Sequence, residues 1–362
     1  MLKPYKLDRY IVGKFLGTFF FAITLLMFIT VVFDLSEKMD EFMENEAPAK
    51  LIVTNYYLNF IPYFAVLFTP LFTFISVIFF TSRMAYNTEI IAILSSGISF
   101  RRLLVPYMVS GLIIMSLNIY LENYVIPKAN QERFEFEERY YHNTPVSFKE
   151  RNVHRQIEPG VIVFFESYST YNDYARKFSI EKFEDGKLQS KLIAENARWD
   201  STIKKWTIRN YMIRDYHDQT SEVRSGNSID TTLAMKPEDF KKRSNAIEAL
   251  NRTELNQYIK KLRLMGASNI EALMVLKYQR VAFPFSTLIL TIIGVAVSSR
   301  KVRGGIGMHI GIGLLVAFSY ILFQQFAKQF AIGGSVPPLI AVWIPNILYG
   351  GVALILYRLA PK

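Results

Sequence analysis

Six stretches of the chain are apolar for long enough to cross a bilayer. A hydrocarbon core of roughly 30 Å takes about 20 mostly apolar residues as helix. Val12 to Phe33 is the first such stretch, with Lys14 near its start and able to snorkel. Leu58 to Phe80 follows, interrupted by Pro62 and Pro70, and then Leu103 to Val125. A long polar stretch intervenes. Val281 to Ser298 ends a helix that starts near Asn269; Ile306 to Ala327 and Pro338 to Tyr357 complete the set. The first span reads as a retained helix. Its apolar run is too long for a signal peptide, and Asp34, Glu37 and Asp40 follow it where a cleavage site would lie.

Between Asn143 and Leu250 the period changes. Val161 to Phe165 is a short apolar run, Phe178 to Phe183 alternates, Asp185-Gly186 is a hairpin signal, and Trp206 to Ile213 alternates again. Short strands with frequent turns predict an all-β domain of sandwich or jelly-roll type. Thr253 to Met265 is amphipathic, with Gly266 as its stop. The expected fold class is therefore an α-helical membrane protein with six transmembrane helices, three on each side of an all-β domain. The expected divisions are 1–142, 143–250 and 251–362.

Charge sets the orientation. The net charge of +11 would suit nucleic acid or an anionic membrane. Its placement favours the membrane. Lys3, Lys6, Arg9, Lys14, Arg83, Arg101, Arg102, Arg300, Lys301, Arg303, Arg358 and Lys362 all fall on one side of the predicted spans. The loop after the first span is mostly acidic, and Lys328 is the one charge between the fifth and sixth spans. The positive-inside rule then puts both termini in the cytoplasm and the β-domain outside. Topology accounts for the basic balance without nucleic acid as a partner.

Candidate chemistry is sparse. With no cysteine and four scattered histidines, no metal site or other cofactor is expected. Gly13-Lys14 and Gly186-Lys187 do not sit in a phosphate-cradling loop, so the chain is expected to lack its own ATPase site and not to be an enzyme. The segment from about 87 to 100 is too short to span. Asn87 or Thr88 can cap it, Glu89 enjoys the helix dipole, and Gly97 ends it. It is either an interfacial connector or a docking helix that transmits force from a cytoplasmic motor. Gly307 and Gly311, flanked by Gly304 and Gly313, have the spacing for close helix approach, and so do Gly13 and Gly17. They serve packing within one chain or a seam between two. His309, near the cytoplasmic end, reads as interfacial.

The whole pattern resembles the lipopolysaccharide export permeases, the LptF/LptG (YjgP/YjgQ) family. The residues that carry it are Leu7-Asp8-Arg9-Tyr10-Ile11, Asp34-Leu35, Asn87-Thr88-Glu89-Ile90 with Ser96-Gly97-Ile98-Ser99, and Ala194 to Trp199 followed by Trp206. Arg280 to Pro284, Pro337-Pro338 and Trp343-Ile344-Pro345-Asn346 continue it. The opening motif is closer to the G paralogue. The resemblance implies a jelly-roll periplasmic domain and an inner-membrane location. It also implies a heterodimer with a paralogous permease, a dimer of cytoplasmic ATP-binding subunits, and a membrane-anchored periplasmic bridge protein. The implied cargo is lipopolysaccharide or a related glycolipid. Glu89, Ile90, Ile93, Leu94 and Gly97 become the expected ATPase-coupling element, with the three apolar residues filling a notch. Lys38, Lys128 and Arg133, at the outer ends of the first and third spans, become candidates for the head group. Lys38, however, stands among Asp34, Glu37, Asp40, Glu41 and Glu44, where G-type members carry several basic residues. Phe164, Phe165, Ile180 and Ile208 would line an apolar groove or fill a core. Two alternatives stay open: a membrane-anchored periplasmic scaffold, and a mechanotransmitting permease acting on lipoproteins. The second usually has four spans.

Overall fold

A computed structural model of the chain describes residues 6–141, 149–169, 172–217, 220–237, 247–264, 270–299 and 305–360. The expected boundary at Asn143, the stop at Gly266, Gly304 and the loop cations Arg300, Lys301 and Arg303 lie outside the described residues. Six helices are long and apolar enough to cross a membrane. They are α1 (Lys6–Glu44), α2 (Ala49–Tyr86), α4 (Phe100–Tyr140), α6 (Ile270–Ser298), α7 (Gly305–Ile332) and α8 (Pro338–Leu359). Short α3 (Glu89–Ser95) joins α2 to α4, and α5 (Arg252–Leu264) precedes α6. Between α4 and α5 run six strands: β1 (Lys149–Glu158), β2 (Val161–Ser169), β3 (Tyr174–Glu184), β4 (Lys187–Asp200), β5 (Lys205–His217) and β6 (Thr220–Thr231). The chain divides into two compact units. One is Met1–Phe136 with Glu248–Arg252 and Glu271–Lys362; the other is Glu137–Ile247 with Thr253–Ile270.

In the helical unit, burial follows from which faces meet protein. The buried residues of the apolar part of α1 are Ile11, Phe15, Phe19, Ile23 and Met27, one stripe at four-residue spacing. Phe21, Phe28 and Phe33 stand exposed on its other sides. Such exposure marks a contact surface in water, while in hydrocarbon it needs no compensation. In the most apolar window, 67% of α6 is buried but only 22% of α1 and of α7. Helix α6 is thus the inner member and α1 and α7 are peripheral. Close approach of α6 to α2 depends on Gly294, where a Cβ would sit 2.8 Å from Val77 Cγ1. Two buried hydroxyls in these helices return to their own backbone: Thr69 donates to the Ala65 carbonyl at 2.8 Å and Thr291 to the Thr287 carbonyl at 2.7 Å.

Irregular backbone occurs where a side chain compensates it. Pro284 lacks an N–H, and the helix tightens to a 3-10 turn at Phe283–Phe285. The freed Ala282 carbonyl accepts from Asn346 Nδ2 at 2.7 Å, while Asn346 Oδ1 accepts from Tyr320 at 2.9 Å. Two π-helical stretches, Ile52–Tyr57 in α2 and Leu121–Val125 in α4, interrupt long helices.

In the β unit the described strands pair in chain order, all antiparallel, as one up-and-down sheet. The expected all-β domain is present. Its core face carries Val163, Phe165, Phe178, Ile180, Trp206 and Ile208. Trp206 Nε1 donates to the Met235 carbonyl at 2.8 Å, which satisfies the one polar group that ring buries. The alternation predicted through Trp206 to Ile213 slips by one residue at Asn210. There φ is +50°, and Lys177 on β3 has φ +49°. After each, the core face passes to residues of the other parity.

Candidate functional site

At one end of the helical unit, α2 stops at Asn87 and the chain reverses through Thr88, whose φ is +63°. That left-handed conformation turns the Thr88 hydroxyl away from the helix start. It donates to the Asn87 carbonyl at 2.6 Å, and the Asn87 amide donates to the Glu89 carboxylate at 3.3 Å. The expected Asn87 or Thr88 cap is therefore absent; the reversal itself sets the start of α3. Ser99 does cap the next helix, accepting from the Arg102 backbone N–H at 3.4 Å. Gly97 has φ +87°, so a side chain there would strain the second reversal.

The two reversals decide which face of α3 is free. Ile90 is buried in the chain's own core, where Ile93 and Leu94 also pack. Ile90 is thereby taken up inside the chain, while Ile93 and Leu94 pack against the same core and keep part of their surface exposed. Ile91, which sequence reasoning passed over, is 51% exposed, and Glu89 is half-buried. A seven-residue helix does not reveal from sequence which isoleucine points inward.

Beside α3, Asp8 and Arg102 form a two-pronged ion pair at 2.7 and 2.6 Å. It fastens the start of α1 to the start of α4. A lone Asp among the basic residues before the first span was the available signal.

At the opposite end of the bundle, the three cations expected to face a head group differ. Lys38 pairs with Asp34 at 2.9 Å, and both side chains are about 15% exposed or less. Tyr57 donates to the same Asp34 at 3.2 Å, and Lys38 also reaches the Tyr56 hydroxyl. Arg133 is 8% exposed, with its guanidinium over the rings of Tyr63 and Phe134 at 5.5 and 4.8 Å. Lys128 alone of the three is exposed and makes no ion pair among the described residues. The acidic and aromatic neighbours of Lys38 and Arg133 engage them internally.

Near this end lies a buried charge cluster. Arg280 donates to the Leu250 carbonyl at 2.7 Å and to the Glu248 carbonyl at 3.1 Å. Glu122, in the π-helical stretch of α4, and the Glu248 carboxylate lie within its electrostatic reach. Burial pushes Glu248 above the usual carboxylate range, against the pull of Arg133, Lys328 and Arg280.

An apolar groove of about 490 Å³ runs between α1, α2 and α4. Phe20, Met27 and Phe28 line one side, Ile61 and Ala65 another, and Leu117 closes it. In the β unit, Ile180 and Ile208 line a separate cavity of about 390 Å³ with Leu192 and Ile229. Phe165 is in the core, while Phe164 lies on the other face of β2 against the His154 ring at 4.5 Å. Gly13, Gly17, Gly307 and Gly311 have no atom within 4 Å of an added Cβ, so they serve no packing inside the described chain. Among the described residues no cluster of His, Asp or Glu suits a metal ion.

This arrangement defines a class: a multi-pass membrane protein of permease type, with an apolar groove in its helical unit and a β-domain inserted between its third and fourth spans. Residues 9–359 match the family described as "Lipopolysaccharide export system permease LptF/LptG". The chain belongs to that family. No curated protein matches it.

Proposed function

We propose that this chain is the membrane subunit of an ABC transporter that extracts lipopolysaccharide, or a related glycolipid, from the inner membrane and passes it to a periplasmic bridge. The observation that carries this reading is the apolar groove in the helical unit of a family member. Each methylene drawn out of a bilayer costs about 0.8 kcal/mol, so several acyl chains cost tens of kcal/mol. A groove lined by Phe20, Met27 and Phe28 takes over part of that burial. The rest requires a motor. The sequence holds no ATP-binding loop, so hydrolysis belongs to a separate cytoplasmic subunit.

In this reading Ile91 on the exposed face of α3 and Glu89 at its start meet the motor, and Gly97 permits the reversal that presents them. The glycines of α1 and α7 face a paralogous permease: both helices are peripheral, and Gly13, Gly17, Gly307 and Gly311 are bare. Lys128 is the cation left to meet a head-group phosphate. Both termini lie in the cytoplasm and the β-domain in the periplasm.

Co-purification in mild detergent, with mass spectrometry of bound proteins and lipids, tests the assembly. A paralogous permease, an ATP-binding subunit and lipopolysaccharide are expected together. A chain that purifies alone with bulk phospholipid refutes the reading. For orientation, a cysteine replacing Ser225 should react with an impermeant reagent in cells whose outer membrane alone is permeabilised. Reaction only after the inner membrane is opened would reverse the topology.

A further inference from the structure

A second, polar cavity of about 330 Å³ lies where α1 and α2 meet beside α3. Two stripes at helical spacing build it. Tyr10, Lys14 and Thr18 follow one another at four-residue intervals on α1; Phe80, Arg83 and Asn87 do so at three and four on α2. The reversal at Thr88 then brings Glu89 to the rim. Inside, Tyr10 meets Phe80 edge-on at 6.0 Å, and the buried Phe80 and Met84 form an apolar floor. Phe79, at the margin, is 42% exposed and faces outward with the lipid-facing side chains. Neither Lys14 nor Arg83 makes an ion pair among the described residues. Thr18 bonds to the Lys14 carbonyl at 2.8 Å, and its oxygen still has accepting capacity.

We infer that this cavity binds the phosphodiester head of an anionic glycerophospholipid, with Lys14 and Arg83 holding the phosphate and the acyl chains running past Phe79. Two cations and one carboxylate leave the lining with a single positive charge. A phosphodiester, carrying one negative charge, balances it; a phosphomonoester or the dianion of inorganic phosphate would overshoot. The apolar floor and the open lipid side favour a ligand that is part hydrocarbon over a free anion. Arg83 offers a planar fork suited to two phosphate oxygens, and Lys14 can snorkel to the same level. The occupant sits next to Glu89, so a bound phosphate places its negative charge beside that carboxylate. Assigning the lipid to the cytoplasmic leaflet rests on the orientation proposed above. The binding itself does not.

The test uses the full-length chain, delipidated in non-ionic detergent and titrated by native mass spectrometry. The probes are phosphatidylglycerol, diacylglycerol with the same acyl chains, and inorganic phosphate. One phosphatidylglycerol should be retained specifically, with diacylglycerol at background and phosphate unable to displace it at equal concentration. In the double variant Lys14→Ala with Arg83→Ala, affinity should fall roughly thirtyfold, the usual effect of two cations near an anionic lipid. Lys14→Arg with Arg83→Lys should recover most of it, and Lys187→Ala in the β-domain should change nothing. The recovery variant separates loss of binding from loss of fold. Equal retention of diacylglycerol, competition by free phosphate, or unchanged affinity in the double variant overturns the assignment. Loss of motor binding in that variant without loss of lipid would make the cavity part of the protein interface instead. Because no orientation enters a detergent titration, failure here and failure of the topology reading are distinguishable.

Discussion

Replacing Arg280 with Met removes a cation that the helical unit cannot do without. The guanidinium makes two hydrogen bonds, at 2.7 and 3.1 Å, to backbone carbonyls of Leu250 and Glu248, and the residue is 5% exposed. Hydrogen bonds from a charged donor contribute about 1.5–3 kcal/mol each. Met fills a similar volume, so little of the loss is a cavity. Two carbonyls lose their donor, Glu122 loses the cation that balances it, and Glu248 keeps Arg133 and Lys328 but loses the third of its balancing charges. Removing one partner from a buried charge set costs about 3–5 kcal/mol, and Arg280→Met should fall in that range. Unfolding in mixed micelles measures it. Trp343, whose ring lies 5.2 Å from Phe285 just beyond Arg280 on α6, is a local fluorescent reporter. Adding Glu122→Gln to Arg280→Met should restore part of the stability, because a neutral amide no longer needs a cation. A loss below about 1 kcal/mol, or simple additivity in the double variant, would refute the idea that Arg280 balances buried charge.

Glu89→Lys should abolish motor binding in pull-downs while changing the melting temperature little, since the side chain makes no ion pair among the described residues and Ile90 still holds the helix. Unchanged binding and transport would reduce α3 to a connector. Leucine at Gly17 and Gly311 should leave folding intact, as an added side chain meets nothing within the chain, yet should dissociate the paralogous partner in size-exclusion chromatography. Stability of the helical unit should fall as pH rises past the ordinary glutamate range. Burial raises the Glu248 carboxyl in the folded state, so folding favours its protonated form; the favourable contribution is complete at low pH and is lost as the group ionises. Glu248→Gln should flatten that dependence, and an unaltered pH profile would mean the group titrates normally.

The spans and the β-domain were legible because their signals are long and repetitive. Twenty apolar residues admit few structures, and alternation over several strands admits few more. Side-chain partners were not legible where they join elements far apart in sequence. Asp8 meets Arg102, Asn346 meets Ala282, and Arg280 meets Leu250 across separations that no local period encodes. The head-group cations show the limit most directly. Lys38, Lys128 and Arg133 look alike as charges near span ends. Only the packed structure reveals that Asp34 and Tyr56 hold the first, and the rings of Tyr63 and Phe134 the third.

The same separation between charge count and charge availability bears on how the permease divides its labour. At one end of the bundle, Lys38 of α1 and Arg133 of α4 are engaged internally. At the other end Lys14 and Arg83 make no ion pair among the described residues, beside the one acidic residue of α3. A force-transmitting helix has to be rigid on its inner face and free on its outer one. Ile90 and the Asp8–Arg102 pair supply the first property, and the Thr88 and Gly97 reversals supply the second. Ile90 shares its core with Ile11 and Phe15 of α1 and Leu103 of α4, so on the proposed function a push on α3 would be felt at the starts of both helices. Those are two of the three helices that line the apolar groove. On the proposed function, a push at α3 would then reach two of the helices whose spacing sets the groove width.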